Sequence, residues 1–287
     1  MKPDWLKINL GGGENYARVG RIVREHQLHT ICSSGRCPNM GQCWNAGTAT
    51  LMILGDVCTR ACKFCATQTG RPLPPDPQEP QRVAESVRLM GLRYCVVTSV
   101  DRDDLPDKGA AHWAQTIAAI CATNPHTAVE VLIPDFDADT RWLDVVLAAA
   151  PAVIGHNIET VERLTPQTRS RASYGTSLKV LQYLAQHGAT TKSGMMVGLG
   201  ETPQEVIDTM RDVRRAGVQL FTIGQYLQPT KLHLDVAEYI TPQQFDEYKS
   251  IGIEMGFRNI ASAPLVRSSY KAGEQLRVES GELRIES

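Results

Sequence analysis

Short apolar runs alternate with amphipathic segments from residue 49 to residue 255, and the runs have the length of buried strands. The predicted strands are 49–54, 93–100, 128–133, 153–158, 190–199 and 220–227. The predicted helices between and after them are 80–90, 110–122, 139–149, 177–187, 202–216 and 241–255. Strand–helix alternation at this spacing favours parallel strands joined by right-handed crossovers.

Six strand–helix units are too few for a complete eight-fold barrel. The pattern therefore predicts a partial (βα)6 TIM-type barrel or an open α/β sheet. One more helix is predicted over 15–29, before the first strand. We expect three regions: an N-terminal extension over 1–48, the barrel over 49–260 and a C-terminal tail over 261–287.

Composition narrows the class of protein only a little. The 287 residues are 42% hydrophobic and 21% charged, which is ordinary for a globular chain, and a net charge of −1 gives no basic field for nucleic acid. No apolar run has the length of a signal peptide or a membrane span. We expect a cytoplasmic monomer, in a reducing compartment where cysteines bind metals more often than they form disulfides.

The cysteines carry the strongest chemical signal. Six of the eight lie in two triplets, C-x4-C-x5-C and C-x3-C-x2-C: Cys32, Cys37 and Cys43, then Cys58, Cys62 and Cys65. Each triplet is one ligand short of the four that an iron–sulfur cluster normally takes. An iron without a protein ligand can bind a substrate, so two incomplete sets suggest two clusters with different roles.

Two other classes of protein remain open at this point. A zinc-stapled module would use cysteine pairs and four protein ligands per ion, and an electron-transfer protein would use four ligands per cluster. The second triplet instead follows the first predicted strand, at the end of a parallel barrel where active sites lie. Cys95 and Cys121 fall in apolar segments, and we expect both to be inert buried thiols.

The second triplet, with Phe64 just before its last cysteine, resembles that of the radical S-adenosylmethionine (SAM) superfamily. In that superfamily three cysteines hold a [4Fe–4S] cluster, and SAM chelates the fourth iron. With the first triplet added, the chain resembles the lipoyl synthase family over roughly 15–273. The other matching segments are TSVDRDDL (98–105), HNIET (156–160), KSGMMVGLGET (192–202), GQYLQPTKLHL (224–234) and PLVRSSY (264–270).

The resemblance implies two [4Fe–4S] clusters, with SAM as co-substrate, and the insertion of sulfur at C6 and C8 of a protein-bound octanoyl-lysine. Cys58, Cys62 and Cys65 would hold the cluster that cleaves SAM. Cys32, Cys37 and Cys43, completed by Ser269 of the RSSY segment, would hold the auxiliary cluster that donates sulfur. The alternative within enzymes is another radical SAM sulfur-insertion enzyme, similar to biotin synthase or to a methylthiotransferase.

The resemblance also assigns expected SAM contacts to the ends of the barrel strands. Thr98 and Ser99 would meet the methionyl amine, Asn157 and Glu159 the ribose hydroxyls, and Phe64 would shield the cluster. The methionyl carboxylate would pair with a cation, either Arg171 or Lys192.

The implied partners are the octanoylated lipoyl carrier domains of 2-oxoacid dehydrogenase E2 subunits, the glycine cleavage H protein, and a ferredoxin or flavodoxin as electron donor. Neither a nucleic acid nor a membrane is expected as a partner. An arginine-rich stretch, with Arg163, Arg169 and Arg171, is a candidate docking surface for an acidic carrier domain.

Overall fold

The computed structural model describes residues 3–7 and 12–276. Strands of one large sheet form its centre, and two short strands lie beside it. The strands are β1 (His29–Thr30), β2 (Thr50–Ile53), β3 (Val57–Cys58), β4 (Gln68–Thr69), β5 (Tyr94–Ser99), β6 (Ala128–Leu132), β7 (Val153–Gly155), β8 (Thr191–Val197), β9 (Leu220–Gln225) and β10 (Asn259–Ser262).

Helices surround this sheet, and the longer ones cross over between neighbouring parallel strands. The helices are α1 (Glu14–Glu25), α2 (Ile31–Ser34), α3 (Met40–Asn45), α4 (Glu79–Met90), α5 (Ala110–Thr123), α6 (Thr140–Ala148), α7 (Thr165–Thr168), α8 (Tyr174–Gln186), α9 (Pro203–Arg215), α10 (Pro242–Glu254) and α11 (Ala272–Leu276). None of the described helices combines the length and apolar character that a bilayer span requires.

The sheet order is β1-β2-β5-β6-β7-β8-β9-β10, and every pair from β2 onward is parallel. In the described part of the chain the two end strands do not pair with each other, so the barrel is partial, as predicted. Six strand–helix units run from β2 to α10. A seventh parallel strand, β10, follows them and was missed at the sequence level.

The six predicted strands are confirmed, most of them shortened by a residue or two at their ends. β7 is the exception, because it ends at Gly155 and the chain turns before Glu159, whose φ is +69°. The predicted helices are confirmed as well, although α1 ends at Glu25, four residues before its predicted end. A capping side chain accepts a hydrogen bond from the first turn of α6, α8, α9 and α10. For example, Thr202 and Glu205 form a reciprocal capping box at α9.

The N-terminal extension is attached to the barrel by its backbone and by its core. β1 pairs antiparallel with β2, and Val19 and Trp44 are buried in the core that continues under α4 and α5. This attachment fixes α2, α3 and the turn between them, which together carry the first cysteine triplet, beside the strand ends of the barrel.

The tail after β10 returns across the same strand ends. Its backbone carbonyl at Leu265 accepts a hydrogen bond from Asn39 of the extension at 2.7 Å, and Tyr270 donates one to Gln42 at 3.1 Å. Gly224 of β9 permits this passage, because a Cβ there would lie 2.0 Å from the carbonyl oxygen of Val266. Of the predicted tail region, 261–287, residues 261–276 are described, and the rest lies outside the described residues.

Substitution of Gly224 should therefore displace the tail and destabilise the fold. We expect Gly224→Ala to lower the free energy of unfolding by about 1–3 kcal/mol, the usual cost of overpacking. Gly175→Ala is the matched control, since no atom lies within 4 Å of the added Cβ and alanine favours its helix, α8. Urea unfolding curves measure both changes, and equal stabilities for the two variants would contradict the expectation.

Candidate functional site

A cavity of about 510 Å³ opens at the carboxyl ends of the parallel strands, where barrel active sites lie. Residues from the barrel, the extension and the tail line it together. The lining residues with sequence-predicted roles are Cys37, Cys58, Cys62, Phe64, Cys65, Thr98, Ser99, Asn157, Glu159 and Ser269. One cavity thus gathers Cys37 of the first triplet, all three cysteines of the second and most of the predicted SAM contacts.

The loop of the second triplet is shaped to present thiols to this cavity. The backbone N–H groups of Arg60 and Asp101 donate to Cys58 Sγ at 3.4 and 3.3 Å. Such N–H···S bonds favour a thiolate and are among the interactions that tune cluster potentials. Cys62 Sγ lies 3.9 Å from Ser170 Oγ, and the Cys65 N–H donates to the Cys62 carbonyl.

Arg60, inside the cysteine loop, is the main anchor of that loop. Its buried guanidinium forms bidentate hydrogen bonds with Asp103 at 2.8 and 2.9 Å and with Asp135 at 2.8 and 2.9 Å. Asp101 and Asp137 lie within 3.5 Å of the same group. Asp103 after β5 and Asp135 after β6 therefore fix the cysteine loop to the ends of both strands.

The carboxylates around Arg60 differ in protonation behaviour. Burial disfavours their charged forms, but hydrogen bonds from Arg60 outweigh burial at two of them: the pKa of Asp103 falls to about 2, and that of Asp135 falls further. Burial dominates at Asp101 and raises its pKa, with Arg60 opposing the shift. The anchor therefore keeps its two bidentate partners ionised at neutral pH.

The first triplet lies where the extension meets the barrel. Cys32 is buried in α2, Cys43 belongs to α3, and the Cys37 N–H donates to the Cys32 carbonyl at 3.0 Å. Burial, and then the charges of Cys32 and Cys37, raise the pKa of the Cys43 thiol to about 12. Of the three cysteines, Cys37 lines the cavity.

The donor atoms of the two triplets suit an iron–sulfur cluster. In the described ranges, no group of three His, Cys, Asp or Glu side chains is arranged to hold a metal ion. Three soft thiolates per site also suit iron–sulfur chemistry.

The two serines of the tail differ in their hydrogen bonds. Ser268 Oγ is held by Asn157, which donates to it at 2.9 Å and accepts from it at 3.1 Å. Ser269 also lines the cavity, and within residues 3–7 and 12–276 its hydroxyl has no hydrogen-bond partner. Of the two hydroxyls, that of Ser269 is the one available as a ligand.

The predicted SAM contacts divide into two groups. Thr98, Ser99, Asn157, Glu159 and Phe64 line the cavity, and the buried hydroxyl of Ser99 has no partner among the described residues. An unsatisfied buried hydroxyl costs free energy that a polar ligand would recover. This orphaned group fits a bound SAM at the end of β5.

The two predicted partners of the methionyl carboxylate lie elsewhere. Arg171 is half exposed and pairs with Asp137 at 2.9 Å, and Lys192 is buried in an ion pair with Glu130 at 2.8 Å. Neither residue lines the cavity. The sequence-based expectation for this pair does not fit the structure, because both charges are already neutralised by protein carboxylates.

The sequence placed Arg169 in a candidate docking surface for a carrier domain, but the structure brings it to the cavity. The Nη1 of Arg169 donates to Ser177 Oγ at 2.7 Å. Ser177 in turn bonds His156 Nε2 at 2.9 Å, and His156 Nδ1 donates to the Ile133 carbonyl. Burial lowers the pKa of His156 to about 4, so a neutral imidazole orients this chain of hydrogen bonds.

Solved structures with the same fold share little sequence with this chain. A Streptococcus suis SuiB structure bound to S-adenosylmethionine superposes with a TM-score of 0.59 at 10% identity, covering 79% of this chain and 54% of that one. Escherichia coli coproporphyrinogen III oxidase, a radical SAM enzyme, gives 0.54 at 13% identity, covering 71% and 52%. The chain spans about half the length of these two structures, and the likeness supports the fold alone.

Similarity of sequence identifies the family more specifically than similarity of fold does. The family model of the radical SAM superfamily matches residues 52–213. A lipoyl synthase of Bacteroides fragilis is 61% identical over 96% of both chains, and one of Phocaeicola vulgatus is 59% identical over 96% of this chain and 97% of its own. The chain belongs to the lipoyl synthase family of the radical SAM superfamily.

Proposed function

We propose that this chain inserts two sulfur atoms, at C6 and C8, into an octanoyl chain carried on a lysine of a partner protein. The observation that carries this proposal is the single cavity lined by Cys58, Cys62 and Cys65 together with Cys37 and Ser269. A site for SAM cleavage and a site for sulfur donation would then face the same substrate. Biotin synthase-like or methylthiotransferase-like chemistry is not favoured, because the relatives matched over almost the whole chain are lipoyl synthases.

The cofactors are two [4Fe–4S] clusters and SAM. When bound, they supply the electron for SAM cleavage, the radical that removes hydrogen from C6 and C8, and the sulfide that is transferred. The chain's own residues would bind the cofactors, orient the substrate and enclose the site. Cys58, Cys62 and Cys65 would hold one cluster, while Cys32, Cys37, Cys43 and Ser269 would hold the other.

We assign the SAM contacts from the cavity lining. Ser99 and Thr98 would meet the methionyl amine, and Arg169 would pair with the methionyl carboxylate. Glu159 would bind a ribose hydroxyl, and Phe64 would shield the cluster. Asn157, engaged by Ser268, would link this half of the cavity to the RSSY turn.

Serine suits the auxiliary site for a chemical reason. Its oxygen is a harder ligand than a thiolate, and cluster iron prefers soft sulfur. An iron bound by Ser269 would therefore be the easiest to release, as a site that gives up its sulfide requires.

The region boundaries remain the predicted ones: an extension over 1–48 with auxiliary ligands, a barrel over 49–260 and a tail over 261–287. For partners we propose octanoylated E2 carrier domains and the glycine cleavage H protein, with ferredoxin or flavodoxin as the electron donor. A cytoplasmic location is proposed because thiolate ligands need a reducing compartment.

The deciding experiment is anaerobic reconstitution with iron and sulfide, followed by SAM, a reductant and an octanoyl-lysine peptide. We expect 5′-deoxyadenosine and a dithiolated peptide, both identified by mass spectrometry. Deoxyadenosine formed without any thiolated peptide would reject sulfur insertion.

The two triplets should separate in this assay. Cys62→Ala should abolish both SAM cleavage and sulfur insertion, because the cluster that receives SAM loses a ligand. Cys37→Ala should abolish sulfur insertion while SAM cleavage persists, because only the sulfur-donating site is lost. Loss of SAM cleavage in both variants, with the cleavage cluster of Cys37→Ala intact by electron paramagnetic resonance, would contradict separate roles.

The two serines provide a matched pair for the auxiliary site. We expect Ser269→Ala to lower the iron content of the reconstituted protein by about one iron per chain, since one ligand of four is removed. Ser268→Ala removes the hydroxyl that Asn157 holds and should retain full iron content. Iron analysis with Mössbauer spectroscopy measures both, and iron loss confined to Ser268→Ala would reverse the assignment.

The two neighbouring arginines test the carboxylate site. Arg169→Ala should weaken SAM binding by about tenfold or more, because a hydrogen bond to a charged group contributes about 1.5–3 kcal/mol. Arg171→Ala, at the half-exposed partner of Asp137, should change SAM affinity less than about twofold. Equilibrium titration of the reconstituted protein with SAM gives both values, and a larger effect at Arg171 would restore the sequence-based choice.

A further inference from the structure

A loop over 229–235, here the mouth loop, connects both cysteine segments at the opening of the cavity. Arg36, one residue before Cys37, donates to the Pro229 carbonyl at 3.3 Å. At the other end of the loop, the Leu234 N–H donates to the Lys63 carbonyl and His233 Nε2 donates to the Cys65 carbonyl at 3.0 Å. The mouth loop is thus held by the cluster loops, and its tip projects beyond them.

That tip is unusual in what it exposes. Leu232 is 96% exposed, more than any other exposed large apolar residue of the described chain. Lys231 beside it and Lys63 and Arg36 behind it are exposed as well, and none of the three has a carboxylate partner among the described residues. The acidic side chain of the loop, Asp235, accepts a hydrogen bond from Gln228. Three unpaired cations and one apolar side chain therefore border the opening.

The arginine-rich stretch proposed from sequence lacks this property. Arg163 pairs with Glu205 at 2.7 Å, Arg171 pairs with Asp137, and Arg169 lies inside the cavity. Its charges are used within the chain, so it is a poor docking surface for a carrier.

We propose that the mouth loop, with Arg36 and Lys63, is the docking surface for the protein that carries the octanoyl-lysine. This inference rests on the proposed function, because an acyl chain tethered to a protein must enter the cavity while its carrier stays outside. Arg36 and Pro229 line the cavity, so the carrier surface around the lysine would lie against this rim. The unpaired cations select a carrier with carboxylates beside its acylated lysine, and Leu232 provides the apolar contact.

The test uses two double variants of matched chemistry. Lys231→Glu/Leu232→Ser changes the tip, and Lys249→Glu/Ile253→Ser changes an exposed lysine and a 59% exposed isoleucine on α10. Each reconstituted protein is titrated with an octanoylated lipoyl carrier domain that has carboxylates beside its lysine. A second probe is the same domain with those carboxylates changed to amides.

We expect the tip variant to bind the acidic carrier at least about tenfold more weakly and to lose most of the salt dependence of binding. The α10 variant should bind like the unmodified protein, and both should bind the amide carrier more weakly than the acidic carrier. SAM cleavage without a carrier, and turnover of a short octanoyl-lysine peptide, should be unchanged in the tip variant. Such turnover separates a failure of docking from a failure of the proposed function.

Two outcomes would overturn the proposal. Unchanged affinity of the tip variant for the acidic carrier would show that the carrier docks elsewhere. Equal weakening by the α10 variant would show that binding follows net charge and not this surface.

Discussion

The buried guanidinium of Arg60 is the interaction on which the site depends. Its side chain is 4% exposed, and isolating such a charge from water costs several kcal/mol unless it is fully paired. Asp103 and Asp135, at the ends of two neighbouring strands, accept four hydrogen bonds from it. Because Arg60 lies between Cys58 and Cys62, satisfying its charge also fixes the thiols. Loss of either bidentate partner would remove two of these hydrogen bonds and leave the remaining carboxylates, Asp101 and Asp137 among them, to balance the buried charge.

The second constraint is that the N-terminal extension and the C-terminal tail meet over the barrel. The extension adds β1 to the sheet edge, and the tail crosses β9 where Gly224 leaves room for it. Asn39 then bonds the tail directly. The first triplet and Ser269, far apart in sequence, are consequently positioned by the same strand ends that position the second triplet. The fold thereby brings Cys37 of the first triplet to the cavity that all three cysteines of the second triplet line.

The sequence was sufficient for most of what is local, although Cys121, expected to be buried, is exposed. Strand and helix periodicity predicted the six units, and cysteine spacing predicted both triplets. Sequence patterns failed where the role of a residue depends on contacts with segments that are distant in the chain. Strand β10 is short, with only alternate residues buried, so it has no continuous apolar run. Arg169 and Arg171 are two residues apart with the same chemistry, and only the turn after α7 decides which one enters the cavity. Arg60 was overlooked because its carboxylate partners lie more than forty residues away.

The shared cavity also explains why the cations at its opening are unpaired. In the interior, Arg60 is paired with aspartates and Lys192 with Glu130, whereas Arg169 at the cavity donates to the neutral hydroxyl of Ser177. Buried charges must be paired because a low-dielectric interior penalises them. At the rim, water screens a cation at little cost, so Lys63 and Lys231 need no internal partner. Charges that do not stabilise the fold are free to act between molecules, where they accelerate encounter and select partners of opposite charge. Ion pairs fix the buried cations Arg60 and Lys192, whereas the exposed cations of the rim can meet a carrier that stays outside while its acyl chain enters.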